Sequence, residues 1–342
     1  MAKYPFRYEA SGVKMGYSTR PSEARLRTIL DRQSSPGFGK NYIPSILANT
    51  AEAPKISRPV QVRWKKIGRH VHLLSNAEMK AFLLGIYHPD VWEIHEQRML
   101  PCAPAIHPLA LHERGKGRNL PPLQGTLHVA NQMGLLKFHP RIHYGYQPDG
   151  SSQTAAFPFI GDLLFFRDEK DGPTCLNWSI KSSADEFSHA LNDIRRKGRA
   201  LGEASQKVLA RQAIEERLYA DAGIKTVQVA ANLIDDVLVA NLARLHLWHD
   251  LEIPLQLNKI QEVESELMAA LTLRQPVNEC IFSLMGEYRC GDEVIKAILS
   301  QMIWNRRLRV DLFKPILLER PLNPETKDVL IEYRHWYAGD AQ

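Results

Sequence analysis

Two charged residues at the ends of neighbouring apolar segments are the strongest candidates for chemistry in this sequence. Asp162 lies in the apolar run 157–166, which predicts a buried strand that carries one carboxylate. A polar turn over 168–173 follows, and a second predicted strand over 175–181 ends at Lys181. A carboxylate binds a hard divalent cation through oxygen, and a neighbouring ammonium can orient water and offset charge on a phosphate. The spacing permits metal-assisted phosphate chemistry, although a hairpin with charged strand ends is more often only a hairpin.

Glu78 is a third candidate. The order strand, aspartate, turn, strand and lysine is typical of metal-dependent nucleases of the restriction-enzyme type, which often add a glutamate from a helix before the core strands. Glu78 lies near the start of a helix predicted over 76–85 and follows Ser75 by three positions, the spacing of a capping box. Binding a metal and capping the helix both remain open for this side chain.

The composition is that of an ordinary globular protein. The chain has 342 residues, of which 44% are hydrophobic and 24% charged. Its net charge of +6 fits a nucleic-acid partner without requiring one. No apolar run reaches membrane-spanning length, and the first residues lack the apolar core of a signal peptide, so we expect a cytoplasmic protein without a membrane partner. The four cysteines are scattered and indicate neither a zinc site nor a disulfide framework.

The predicted elements form an α/β core followed by a helical part. We predict strands over 60–66, 69–74, 91–98, 157–166, 175–181 and 224–230. We predict helices over 21–32, 76–85, 185–200, 204–222 and 235–245. The order strand, strand, helix, strand after residue 157 is that of an α/β core. Residues 102–154 are rich in Pro, Gly and His and suggest a mobile insertion with a short helix near 125–135.

The last part of the chain has a different pattern. We predict three helices over 259–271, 277–286 and 292–304, then a hairpin of strands over 308–313 and 316–320. Three helices and a short hairpin favour a winged-helix shape, and we expect it to form a separable module.

Several separated motifs resemble the TnsA-type endonuclease subunit of heteromeric bacterial (Tn-seven-like) transposases. They are "PSEARLRTILDRQ", "GFGKNYIPS", "GRHVHLLSNAEMKAFL", "VWEIHEQRMLP" and "MIWNRRLRVDLFKP". They occur in the family's order from about residue 20 to 320, interrupted by the insertion. The resemblance implies an N-terminal extension and helix over 1–40, a restriction-endonuclease-like catalytic domain over 41–254 and a winged-helix-like domain over 255–342.

The resemblance also implies the site. The family's catalytic Glu, Asp and Lys fall on Glu78, Asp162 and Lys181. Glu78, Asp162 and the carbonyl of Ile180 would bind Mg²⁺ or Mn²⁺, with two cations in each site, and Lys181 would position water. One position departs from the family: Ser179 stands where Glu or Gln is usual. A hydroxyl is a poorer ligand, so a second cation would be held mainly by water.

The implied partners are DNA and two other proteins. The chain would cut the 5′ strands at transposon ends, a TnsB-type DDE transposase would cut and join the 3′ ends, and a TnsC-type AAA+ ATPase would regulate both, on the nucleoid. Two alternatives remain: a non-catalytic adaptor that bridges transposase and ATPase, for which Ser179 is the only support, and a stand-alone restriction or repair nuclease.

Two basic clusters could contact DNA or a partner protein. They are Arg195, Arg196 and Lys197, and Arg306, Arg307 and Arg309. A short basic run on a helix is usually a solvated face, so the first cluster has an ordinary explanation. For the second, the family resemblance favours an acidic face of a partner protein over DNA.

Overall fold

The protein, seen in a computed structural model that describes residues 21–54, 58–145, 152–194 and 203–338, has an α/β fold. The strands are β1 (Val60–Trp64), β2 (Arg69–Leu73), β3 (Val91–Glu96), β4 (Arg141–Tyr144), β5 (Gln153–Ala156), β6 (Leu163–Glu169), β7 (Gly172–Lys181) and β8 (Lys225–Ala230). The helices are α1 (Glu23–Gln33), α2 (Asn76–Tyr87), α3 (Thr126–Gln132), α4 (Leu191–Ile194), α5 (Gln206–Ala220), α6 (Asp236–Trp248), α7 (Leu257–Thr272), α8 (Val277–Tyr288), α9 (Asp292–Trp304), α10 (Val329–Glu332) and α11 (Arg334–Ala338). No helix among the described residues is long and apolar enough to span a membrane.

A central four-stranded sheet positions the candidate residues. Its order is β3-β6-β7-β8, with β7 and β8 parallel and the other neighbours antiparallel. The predicted β6–β7 hairpin is confirmed, and its register pairs Leu163 with Trp178. This register brings the first residues of β6 beside the last residues of β7, because the two strands run in opposite directions.

One face of the sheet is covered by helices from both halves of the chain. Helices α2 and α11 contact the sheet, α6 packs on α2, and α9 packs on α6. Their apolar side chains form one continuous core with the sheet. Trp178 is fully buried at its centre and donates from Nε1 to the carbonyl of Trp336, 3.1 Å away. Tyr337 reaches α2, where its hydroxyl donates to the carbonyl of Leu84 at 2.7 Å. Residues beyond 255 therefore complete the core that holds α2 in place.

The other face is covered by α5 and by the segment that was expected to be a mobile insertion. The short helix predicted there is confirmed as α3. Leu109, Leu123 and Val129 of this segment are buried in one cluster with Leu164 and Phe166 of β6. Its described residues are therefore part of the packed core.

The hairpin predicted over 308–320 is wrong, whereas the three helices before it are confirmed as α7, α8 and α9. Between residues 308 and 320 the described backbone contains no strand. The amide of Asp311 donates to the carbonyl of Asn323, and Asn241 donates from its side chain to the carbonyls of Leu312 and Lys314. The backbone groups that a wing would pair with one another are thus bonded elsewhere, and Pro315 has no amide hydrogen to offer.

The helix predicted over 185–200 is also wrong in its first half. A short 3₁₀ helix covers Ala184–Phe187, and α4 begins only at Leu191. The carbonyl of Ser188 accepts from the amide of Ser205 at 2.7 Å, which interrupts a helical ladder. Residues 195–200 lie outside the described part of the chain.

We expect Trp336→Ala to lower the free energy of unfolding by about 3–5 kcal/mol, because it opens a cavity against Trp178 and Tyr333 in the shared core. Urea denaturation of the full chain measures this. Arg334→Ala, on the exposed side of the same helix, is the matched control and should change stability little. Equal stability of both variants would show that α11 does not hold the sheet.

Candidate active site

Asp162 and Lys181 lie together at one end of the sheet. Asp162 immediately precedes β6, and its Oδ2 accepts a hydrogen bond from the amide of Ile180 at 2.7 Å. Lys181 ends β7, with its Nζ 3.5 Å from Asp162 Oδ2 and 2.9 Å from the carbonyl oxygen of Ile180. Both side chains are mostly buried, at 16% and 21% exposure. The pair predicted from sequence is therefore a real contact.

Glu78 approaches this pair from α2. Its amide donates to Ser75 Oγ at 3.1 Å, and its Oε2 accepts from the amide of Leu74 at 2.8 Å. These bonds cap the start of α2, so the capping explanation of Glu78 is confirmed. The carboxylate accepts three hydrogen bonds, from the Leu74 amide, Ser75 Oγ and Gln97 Nε2, out of about four lone-pair sites. Capping is therefore compatible with ligand binding, which stays a prediction.

The pKa of Glu78 shows how the site is charged. Burial and, to a smaller extent, the negative charge of Asp162 raise the pKa from an ordinary value of 4.5 to about 7, against the opposing hydrogen bonds from Leu74 and Ser75 and the charge of Lys181. At neutral pH this carboxyl group is therefore divided between its neutral and ionised forms. A cation bound beside it would favour the ionised form.

Gln97 connects Glu78 to Asp162, and sequence reasoning missed it. It follows β3 with a left-handed backbone, at φ 48°, and its Nε2 donates to Glu78 Oε2 at 2.8 Å. Its amide donates to the carbonyl of Asp162 at 3.0 Å. Only its place in "VWEIHEQRMLP" could have pointed to it.

Helix α5 contributes a buried carboxylate that sequence reasoning also missed. Glu215 is fully buried, and its Oε1 accepts from Asn177 Nδ2 at 3.0 Å. Its Oε2 has no hydrogen-bond partner among the described residues but lies 3.7 Å from Arg211 Nη2. Burial raises its pKa, the charge of Arg211 opposes this shift, and the charge of Asp162 adds to it. A glutamate between the apolar positions Ile214 and Leu218 was the available signal.

Ser179 lies inside the protein and its side chain bonds to helix α5. It is fully buried and donates from Oγ to Gln212 Oε1 of α5 at 3.1 Å. The amide nitrogen of Gln212 has no partner among the described residues. A carboxamide from α5 thus lies beside the position where the family usually has Glu or Gln.

The second basic cluster is bound within the protein. Arg306 contacts Asp328 at 2.6 Å and is 14% exposed, Arg307 contacts Glu264 at 2.6 Å, and Arg309 contacts Asp328 at 2.6 Å and Glu325. These pairs connect the end of α9 to α7 and to the start of α10. The first cluster, Arg195, Arg196 and Lys197, lies outside the described residues.

The oxygen donors of this site suit Mg²⁺ better than a metal that needs a closed cage of protein side chains. In the described part of the chain, no three His, Cys, Asp or Glu side chains converge on one point. Mg²⁺ keeps several waters and is commonly held by one or two carboxylates. Glu78, Asp162 and the Ile180 carbonyl are hard oxygen donors, and Glu215, which Arg211 meets at 3.7 Å, is a buried carboxyl group nearby. The residues fit the cation that the sequence predicted.

The chain matches no protein-family model. No curated protein matches it either. The residues of the site and their geometry therefore carry the functional proposal.

We expect the free energy of unfolding to fall as pH rises from about 4.5 to about 7 in the absence of divalent cations. The folded state keeps the proton of Glu78 through this range while the unfolded state releases it, since the folded pKa is about 7. The loss amounts to about 3 kcal/mol. Glu78→Gln cannot ionise and should remove this component.

Urea denaturation at pH 5 and pH 8 measures the difference. Glu279→Gln changes an exposed glutamate on α8 and should retain the wild-type pH dependence. If Glu78→Gln also retained it, the carboxyl group would be ionised normally in the folded protein.

We expect Ser179→Glu to destabilise the fold by about 3–5 kcal/mol instead of improving the site, because it places a charge in a fully buried position near Glu215. Ser182→Glu, at an exposed position just after β7, is the control and should have little effect. Thermal unfolding of both variants is the measurement. A Ser179→Glu protein as stable as the control would mean that the strand end opens to solvent.

Proposed function

We propose that this chain is a metal-dependent DNA endonuclease that hydrolyses the 5′ strands at transposon ends, together with a DDE-type partner transposase. One observation carries the proposal: Glu78, Asp162 and Lys181, from three separate segments, interact at one end of the central sheet. The TnsA-type resemblance assigns the catalytic roles to the same three residues. The proposal includes a restriction-endonuclease-like class for the α/β core.

Glu78, Asp162 and the Ile180 carbonyl would hold Mg²⁺ or Mn²⁺, and the burial and charge of Glu215 support a second cation nearby. A bound cation would polarise the attacked phosphate and make a water molecule more acidic. Because the pKa of Glu78 is about 7, a fraction of the protein carries this side chain protonated at neutral pH. In that fraction the proton must leave before Glu78 can act as a ligand.

Lys181 would orient the reacting groups. An ammonium has three hydrogen-bond donors, and Lys181 uses one of them on the Ile180 carbonyl while its charge lies 3.5 Å from Asp162. A further donor would reach the attacking water or a non-bridging phosphate oxygen, whose negative charge grows during hydrolysis. Because the Lys181 side chain is mostly buried, Nζ can take few positions, and its charge would be held in place before the substrate binds.

The proposed partners are the transposon-end DNA, a TnsB-type transposase and a TnsC-type ATPase. The net charge of +6 supports DNA binding only weakly. All three arginines already contact acidic residues of this chain, so the proposed role toward a partner would use the exposed parts of Arg307 and Arg309, which are 47% and 45% exposed.

We expect Asp162→Asn to reduce nicking of transposon-end DNA at least 100-fold, the scale seen when one charged or polar group of a preorganised site is removed. The asparagine oxygen can still accept from the Ile180 amide, so the fold should survive. The assay uses the full chain, the partner transposase, Mg²⁺ and DNA labelled at the 5′ strand. Asp168→Asn, an exposed position on the same hairpin, is the control.

Nicking by a folded Asp162→Asn protein at the rate of the Asp168→Asn control would exclude this site as the catalytic centre. Nicking by the wild-type chain without any partner would favour the stand-alone nuclease.

A further inference from the structure

A cavity of about 300 Å³ opens beside the candidate active site. Lys181 belongs to its lining, so the cavity and the proposed catalytic centre share a side chain. A space of this size holds several water molecules, so it has room for a group as large as a nucleobase. The cavity therefore suits a small planar group that lies next to the attacked phosphate.

Two aromatic side chains form the apolar part of the wall. Phe138 comes from the segment between β3 and β4, and Phe159 comes from the turn that leads to Asp162. Phe159 is 8% exposed and is held edge-on by His139, with ring centroids 5.0 Å apart. Aromatic rings at a nucleic-acid site stack with bases of any sequence.

The opposite part of the wall offers hydrogen bonds. Gln212 is 7% exposed, lines the cavity, and has an amide nitrogen without a partner among the described residues. Glu186 adds a carboxylate to the lining. A buried donor without a partner is costly unless a ligand or water satisfies it, and the edge of a nucleobase presents both donors and acceptors.

Two cations complete the lining. Lys207 is exposed, and Arg211 is fixed by a 2.7 Å hydrogen bond from its Nη2 to the Ile160 carbonyl. Together with Lys181 they place positive charge around an apolar interior. Such a distribution fits a neutral base inside the cavity and phosphates of the same strand at its rim.

We propose that this cavity receives one unpaired nucleotide of the strand that is cut, adjacent to the scissile phosphate. The inference rests on the proposed nuclease function and adds a subsite to it. Taking a base out of the stack costs less where the base is already mismatched, so the subsite predicts a preference for DNA that is unpaired beside the cleavage point.

The test measures binding separately from cleavage. Transposon-end duplexes, fully paired or with one mismatch on either side of the cleavage point, are titrated with the full chain and its partner transposase in Ca²⁺, with fluorescence anisotropy as the readout. We expect one mismatched duplex to bind about tenfold more tightly than the paired one. Phe138→Ala and Lys207→Glu should each remove most of this preference.

Phe282→Ala, on the exposed face of α8, and Lys170→Glu, in the β6–β7 turn, are the matched controls and should keep the preference. Lys207→Glu changes an exposed residue and keeps the test valid if Phe138→Ala fails to fold. Equal binding of all duplexes by the wild-type chain, or a preference that survives in both cavity variants, would overturn the subsite.

Nicking of the same duplexes in Mg²⁺ separates the two proposals. Cleavage of every duplex at one rate refutes the subsite and leaves the nuclease intact, whereas no cleavage of any duplex refutes the nuclease. Cleavage that depends on Phe138 and Lys207 but not on base pairing would assign the cavity to a side chain of the partner protein, and the nucleotide proposal would then be wrong.

Discussion

Carboxylates outnumber cations at the end of the central sheet, and most features of the site follow from this imbalance. Glu78, Asp162 and Glu215 are largely removed from water, and Lys181 is the cation that contacts Asp162 directly. Like charges in a poorly hydrated region raise each other's proton affinity, and burial does the same. The protein relieves this charge partly through protonation of Glu78 and partly through hydrogen bonds from backbone amides. The divalent cation that we propose would relieve it more completely.

The same arrangement explains why the surrounding residues are so tightly bonded. Gln97 has a left-handed backbone and bonds to both Glu78 and Asp162. Ser179 is fully buried and donates to Gln212. Side chains fixed in this way lose little freedom when a substrate binds. Because these side chains are fixed, we expect a substitution near the site to lower the stability of the fold before it changes the chemistry. The fully buried Ser179 is an example.

Much of the fold was predictable because hydrophobic periodicity records which face of an element is buried. The strands β3, β6, β7 and β8 and the helices α2, α5 and α6 were found this way, as were Asp162, Lys181 and the cap at Glu78. The irregular segment after α9 was mistaken for a hairpin, since groups that its backbone bonds, such as the side chain of Asn241, lie about seventy residues away and leave no local trace. Gln97 and Glu215 were missed for a related reason: their roles depend on where the chain folds back. The basic residues near 306 looked free in the sequence because a pattern of positive charges does not show which carboxylates meet them.

The return of α11 to the sheet sets an order for the synthesis of the protein. Trp178 bonds to a residue 158 positions later in the chain. While the ribosome is still making the helical part, the apolar face around Trp178 lacks its cover, and the start of α2 lacks the support that Tyr337 provides. Contacts of such long sequence separation form late in folding. A nascent chain that already carries Glu78, Asp162 and Lys181 therefore lacks a fully supported site until residue 337 has emerged, which delays completion of the site until translation has passed that point.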